Sequence, residues 1–244
     1  MHPTEAPSEL TIDWAQMPTY NTIMAVAVGV GLFTLVLFGR ELLRSPQQVR
    51  SDAWSLNFGV LGFILTTTGL HMTLTWPLAS GGFPFDNIIF GETSLGFGVL
   101  LLAAAFYLWR RGARWLEAEK PVQALAATAR PVSFFVGFLG LSLIAIAIAG
   151  IRYQLFAAPP QEPISGTFAE YPMVEATFMS LLIALVGVGA IAFPFAVNAQ
   201  LKKPAHTSTA TRIAGGAWAV SGVIFALFGA MNFFTHIGLI INTM

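Results

Sequence analysis

Six apolar runs, each about long enough to cross a bilayer, constrain this chain more than anything else in it. A hydrocarbon core about 30 Å thick takes about 20 helical residues, and the runs fall at 18–39, 53–78, 88–109, 132–156, 172–197 and 213–241. Lipid offers no water to a free N–H or C=O, so a spanning segment must satisfy its backbone internally, as a helix or in a closed barrel. Runs of this length predict helices. Composition agrees, with 55% hydrophobic and 10% charged residues, where a soluble domain carries about 25% charged. The expected fold is all-α: a polytopic membrane protein with a six-helix domain over 18–241 and an extracytoplasmic N-terminal segment over 1–17. That segment is acidic and lacks a basic n-region, so no cleaved signal peptide is expected.

Basic residues orient the runs. Arg40, Arg44 and Arg50 lie between runs 1 and 2; Arg110, Arg111, Arg114, Lys120 and Arg130 between runs 3 and 4; Lys202, Lys203 and Arg212 between runs 5 and 6. These alternate loops are expected to be cytoplasmic, which places both termini outside a cell membrane. Arg152, at the other end of run 4, is the exception. Trp54, Trp109, Trp115 and Trp218 are expected at the inner interface, and Trp14, Tyr20, Trp76, Tyr153 and Tyr171 at the outer one. The stretch 115–129 is expected on the membrane surface, restarting as a helix at Pro121. The Pro- and Gly-containing stretch 157–170 carries Glu162 and Glu170 and reads as a connector.

A weak internal repeat suggests three pseudo-repeated helix pairs. Odd runs begin with a polar residue about one turn in (Asn21, Glu92, Glu175), and even runs end with one (His71, Arg152, Asn232). Glycines at 29, 31, 59, 62, 137, 140, 187 and 189 would allow close helix contact.

The motif Asp86-Asn87-Ile88-Ile89-Phe90-Gly91-Glu92, followed by Glu175 and His236 in a six-run chain, resembles an uncharacterised family of prokaryotic integral membrane proteins, catalogued as a domain of unknown function. The resemblance covers runs 2 to 6. It implies a six-helix membrane fold and carries over no activity, cofactor or catalytic residue.

Chemistry is sought where polar groups enter apolar runs, because an intramembrane charge is costly and usually faces protein or water. His71, Glu92, Glu175 and His236 fall at similar depth near the outer ends of their runs. They are expected to converge as ligands of a divalent transition metal (iron, copper, zinc or manganese), which imidazole and carboxylate suit. Asn232, four residues before His236 on one helix face, would orient a ligand or contact a cofactor. Arg152 would neutralise a carboxylate or hold a substrate. Two histidines could alternatively ligate one haem, which the two neighbouring carboxylates make less attractive. Each residue also has a plain reading. Either Glu can satisfy helix N-terminal N–H groups, either His can bond a carbonyl or water, and Arg152 can pair structurally or snorkel. Asp86 and Asn87 are expected to turn into and cap helix 3.

Other classes find no footing. The chain has no Cys, and Lys plus Arg equals Asp plus Glu at 12 each, so thiolate chemistry is excluded and no nucleic-acid partner is expected. Phosphate-loop, dinucleotide and His-Glu-x-x-His motifs are missing. Two function classes are carried forward. One is a membrane-embedded metalloprotein or oxidoreductase of unknown catalytic residues. The other is a non-enzymatic subunit of a larger membrane complex or a homo-oligomer. A small-solute carrier is disfavoured, since the inner halves of the runs hold few polar groups. The lipid bilayer is a partner in every case.

Overall fold

The computed structural model describes residues 19–75 and 85–244. Trp14, Trp76 and the proposed segment 1–17 lie outside the described residues. Six long helices make up the fold: α1 (Asn21–Arg44), α2 (Ser51–Leu74), α3 (Thr93–Leu116), α4 (Pro121–Arg152), α5 (Pro172–Lys202) and α6 (Thr209–Thr243). All six contain stretches apolar enough to cross a membrane. Their outward faces carry large apolar side chains such as Phe63, Phe106, Phe138 and Leu227, as contact with lipid requires. The chain is a multi-pass membrane protein.

Local chemistry sets the starts. Pro121 and Pro172 open α4 and α5 at a position where the missing N–H costs nothing. The Ser208 side chain accepts from the Thr211 N–H to cap α6. The expected surface stretch 115–129 is corrected in part: from Pro121 onward it is the first turns of α4, continuous through Pro131. Gln123 ties those turns to α5 by donating to the Leu201 carbonyl at 2.8 Å.

The helices associate as three close antiparallel pairs, α2 with α3, α4 with α5, and α6 with α1. Each pair meets where glycine removes a side chain, since lipid supplies no hydrophobic drive and close van der Waals packing must hold the helices. A Cβ on Gly98 would lie 2.5 Å from the Thr66 nitrogen, and one on Gly140 would lie 2.8 Å from the Gly187 oxygen. In the third pair Gly29 faces Ala226, Gly222 faces Phe33 and Gly229 faces Val26. That register puts Asn21, the first residue of α1, level with Phe234. α6 therefore continues past the start of α1. Between pairs, α5 packs on α6 and α1 on α2, while α3 touches α4 only sparsely.

Two expected interface tryptophans are placed differently. Trp115 is buried in the core at the basic end, beside Leu42, Val49 and Val122. Trp218 lies between α5 and α6, where its indole N–H donates to the Val186 carbonyl at 3.2 Å. Trp218 fills the space left by Gly189, a tertiary demand that interfacial preference does not encode.

Candidate functional site at the cap end

The end of the bundle opposite the basic loops, here the cap end, collects the polar residues expected to act together. They separate into two groups.

The first group lies on α1 and α2. Tyr20 Oη is 2.9 Å from His71 Nδ1, with the rings edge to face at 5.7 Å. His71 is exposed, and burial raises the Tyr20 hydroxyl above its usual value, so Tyr20 stays neutral; which of the two donates depends on the His71 tautomer. Glu92, next to this group on α3's lead-in, is also exposed.

That lead-in is the family-like motif itself. Residues Asn87–Glu92 form a π-helical segment, a form found mostly as single turns and often at functional sites. Asn87 is buried, and its side-chain amide donates to the carbonyls of Met72 and Thr75, the latter at 2.7 Å. It thus closes the C-terminal end of α2, where carbonyls lack helical partners. This corrects the expected cap on helix 3, for which neither Asp86 nor Asn87 supplies a side-chain hydrogen bond. Gly91 lets the segment touch α2: a Cβ there would sit 3.1 Å from the Thr73 nitrogen. Ile89 belongs to a core cluster with Ala147 and Ile183. Asp86 lies at the edge of this latch, and burial pushes its carboxyl up to about 7.

The second group lies on α5, α6 and the 157–170 connector, which folds back over the end of α6. Pro163 fills the space beside Gly238, where a Cβ would come within 2.3 Å of its ring. Asn242 donates to the Gln161 carbonyl at 2.8 Å. Between these contacts Glu162 turns inward. Its Oε1 is 3.7 Å from His236 Nε2, with the two side chains 9% and 17% exposed. Burial raises the Glu162 carboxyl above its usual value, while the nearby Thr235 hydroxyl favours its charged form. No hydrogen bond of ordinary geometry closes from Thr235, and His236 Nδ1 is likewise buried without a partner. Glu175, close enough to feel the Glu162 charge, accepts from the Ala158 N–H at 2.6 Å and so fastens the start of the connector. Asn232 is buried one turn below His236.

The connector is held in an unfavourable backbone form. Ile164 has φ 68° and ψ −68°, and the Ser165 N–H bonds the Pro163 carbonyl at 2.8 Å. This is a γ-turn of the rare positive-φ kind, on a β-branched residue that strongly disfavours it. Glu162 and the docked Pro163 flank it directly.

Of the four expected ligands, Glu175 and His236 share the second group, whereas His71 and Glu92 are on exposed surface of α2 and the π segment. Among the described residues no three His, Asp or Glu side chains are placed to hold a metal ion together. Arg152 is exposed and pairs with no carboxylate among the described residues; its guanidinium lies 5.6 Å from the centre of the Tyr153 ring. Sequence reasoning missed Glu162 as a site residue. Its only signal was an acidic residue in a Pro-rich connector, and the inward turn comes from Pro163 docking at Gly238, far away in sequence.

Comparison with known proteins gives one match. Residues 17–238 match the model of a family described as Protein of unknown function (DUF981). No curated protein and no solved structure matches the chain.

Proposed function

The chain belongs to the DUF981 family, and on this footing we propose that it is a proton-responsive membrane protein. Its working site is Glu162, His236 and Glu175, and its moving part is the 157–170 cap. The carrying observation is the 3.7 Å approach of Glu162 to His236 beneath a docked connector. At 3.7 Å the carboxyl and the imidazole are too far apart to share a proton through a hydrogen bond, but each feels the other's charge, so protonation of either one changes the electrostatics of the pair. The basic loops favour a cytoplasmic position, so the site faces the outside of the cell membrane in this reading.

The sign follows from burial. With its carboxyl raised above the unfolded value, Glu162 holds a proton more tightly in the docked state. Docking is thus favoured at low pH and weakened as pH rises through the raised value. Ionised Glu162 would also face the neighbouring Glu175 charge. The strained turn at Ile164 then favours release.

Amide hydrogen exchange tests this. Protection factors in 157–170, corrected for intrinsic exchange, should fall as pH rises above the ordinary carboxyl value of about 4.3 in the wild type. They should stay high in Glu162→Gln, which mimics the neutral acid. Equal falls in both proteins would refute the assignment.

A second reading keeps the metal. Glu175 and His236, joined by Glu162 in place of His71 and Glu92, are donors suited to a first-row divalent ion, and a small closure of the cap would be needed for them to meet. Stoichiometric iron, copper, zinc or manganese in gently purified protein, lost in Glu162→Gln, would favour this reading over the first. An oxidoreductase activity would rest on that outcome.

A further inference from the structure

At the cap end an open groove of about 420 Å³ lies between the π segment and α4. Its lining is apolar: Ile88 and Ile89 on the π segment, Ala145, Ile146 and Ala149 along α4, and Leu155 beyond it. Tyr153 forms part of the rim. An apolar groove on the side of a membrane bundle meets hydrocarbon chains, and that alone would specify nothing.

Arg152 supplies the specificity. Its exposed guanidinium lies 5.6 Å from the centre of the Tyr153 ring, and Tyr153 in turn lines the groove, which puts the cation next to it. It has no acidic partner among the described residues, whose ion pairs are Arg50 with Asp52 and His236 with Glu162. It is also the one Lys or Arg of the described chain at this end, the other eleven of the 12 lying at the basic end. A cation at this height without a carboxylate has a complement in the headgroup zone, where phosphates sit. Arginine is the side chain best shaped to grip phosphate through paired N–H donors.

We infer that the groove between the π segment and α4 is a binding site for an anionic glycerophospholipid, with one acyl chain along Ile88, Ile89, Ala145 and Ala149 and the phosphate on Arg152. This site is separate from the Glu162–His236 pair and does not depend on how that pair works.

Native mass spectrometry of the detergent-purified full chain tests it, with dioleoyl-phosphatidylglycerol and dioleoyl-phosphatidylcholine added at equal concentration. The wild type should retain one phosphatidylglycerol in preference to phosphatidylcholine, whose choline cation offsets its phosphate, by about two- to fivefold for one exposed charge interaction. Arg152→Gln should erase the preference, and Arg152→Lys should keep part of it. Ala145→Phe, which fills the groove from a lipid-facing position, should reduce retention of both lipids. The inference is overturned if the wild type shows no preference or if Arg152→Gln keeps it. It is equally overturned if inorganic phosphate displaces the lipid while Ala145→Phe changes nothing, since the site would then bind a free anion.

Discussion

Replacing Asn87 by Leu would test whether the motif is a structural latch. The substitution keeps similar volume in the buried site but removes both amide donors from the Met72 and Thr75 carbonyls. A net hydrogen bond is worth about 1 kcal/mol, and an acceptor left unsatisfied in a buried place costs about 1–3 kcal/mol. Part of that cost falls away where water reaches the end of α2, so the two lost bonds sum to about 2–4 kcal/mol. For a chain of this size 1 kcal/mol moves the thermal midpoint by about 2–4 °C, which predicts a drop of about 4–16 °C in detergent. Asn87→Asp should be worse than Leu, because it turns a carboxylate toward two carbonyl oxygens. Hydrogen exchange should localise the damage to the last turn of α2. A midpoint for Asn87→Leu within about 2 °C of the wild type, or exchange unchanged at 71–75, would refute the latch.

Three further outcomes are expected. The Asp86 carboxyl, raised to about 7 by burial from about 3.9 when unfolded, makes the folded state hold the extra proton. Wild-type stability should therefore decline as pH rises from about 4 to about 7, and Asp86→Asn should remove that decline in a thermal melt against pH. Gly98→Ala should cost about 1–3 kcal/mol by forcing α2 from α3, whereas Gly215→Ala, with open space around it, should be neutral or slightly stabilising in the same melt. With no native Cys, an impermeant maleimide applied to intact cells should label Glu170→Cys and leave His206→Cys untouched; the reverse pattern would invert the topology.

Hydropathy was enough to read the number and approximate positions of the helices, because the bilayer sets one length for every run. The ends were less legible. The helix expected to restart at Pro121 on the membrane surface instead continues unbroken into run 4, its first turns held by Gln123 to the end of α5, a contact that carries no apolar signature. The helix pairs suggested by polar residues at the run ends did not say which helices pair: the structure joins α2 to α3, α4 to α5 and α6 to α1, and three of the glycines at those contacts, Gly98, Gly222 and Gly229, lie outside the set read from the sequence. At the cap end, spacing along each run placed His71, Glu92, Glu175 and His236 at one depth. Depth is not direction: His71 and Glu92 turn to exposed surface, and Glu162 enters from a connector that no periodicity describes. The motif was visible as an unusual string of residues, but its work on α2 could not be read without knowing which carbonyls stood opposite Asn87.

The register of α6 on α1 decides how the Glu162–His236 pair experiences the membrane. With Asn21 level with Phe234, residues 235–243 rise about 13 Å past the first residue of α1. If the hydrocarbon ends at the first residue of α1, His236, about 3 Å past that level, and the cap above it stand at its edge, where little of the transmembrane voltage has yet fallen. A charge crossing the whole membrane gains about 2.3 kcal/mol per 100 mV, but in the proposed reading a proton reaching this pair from outside would cross almost none of that field. It needs no conduit through the bundle. Its occupancy would follow the acidity of the compartment it faces and ignore the electrical state of the cell.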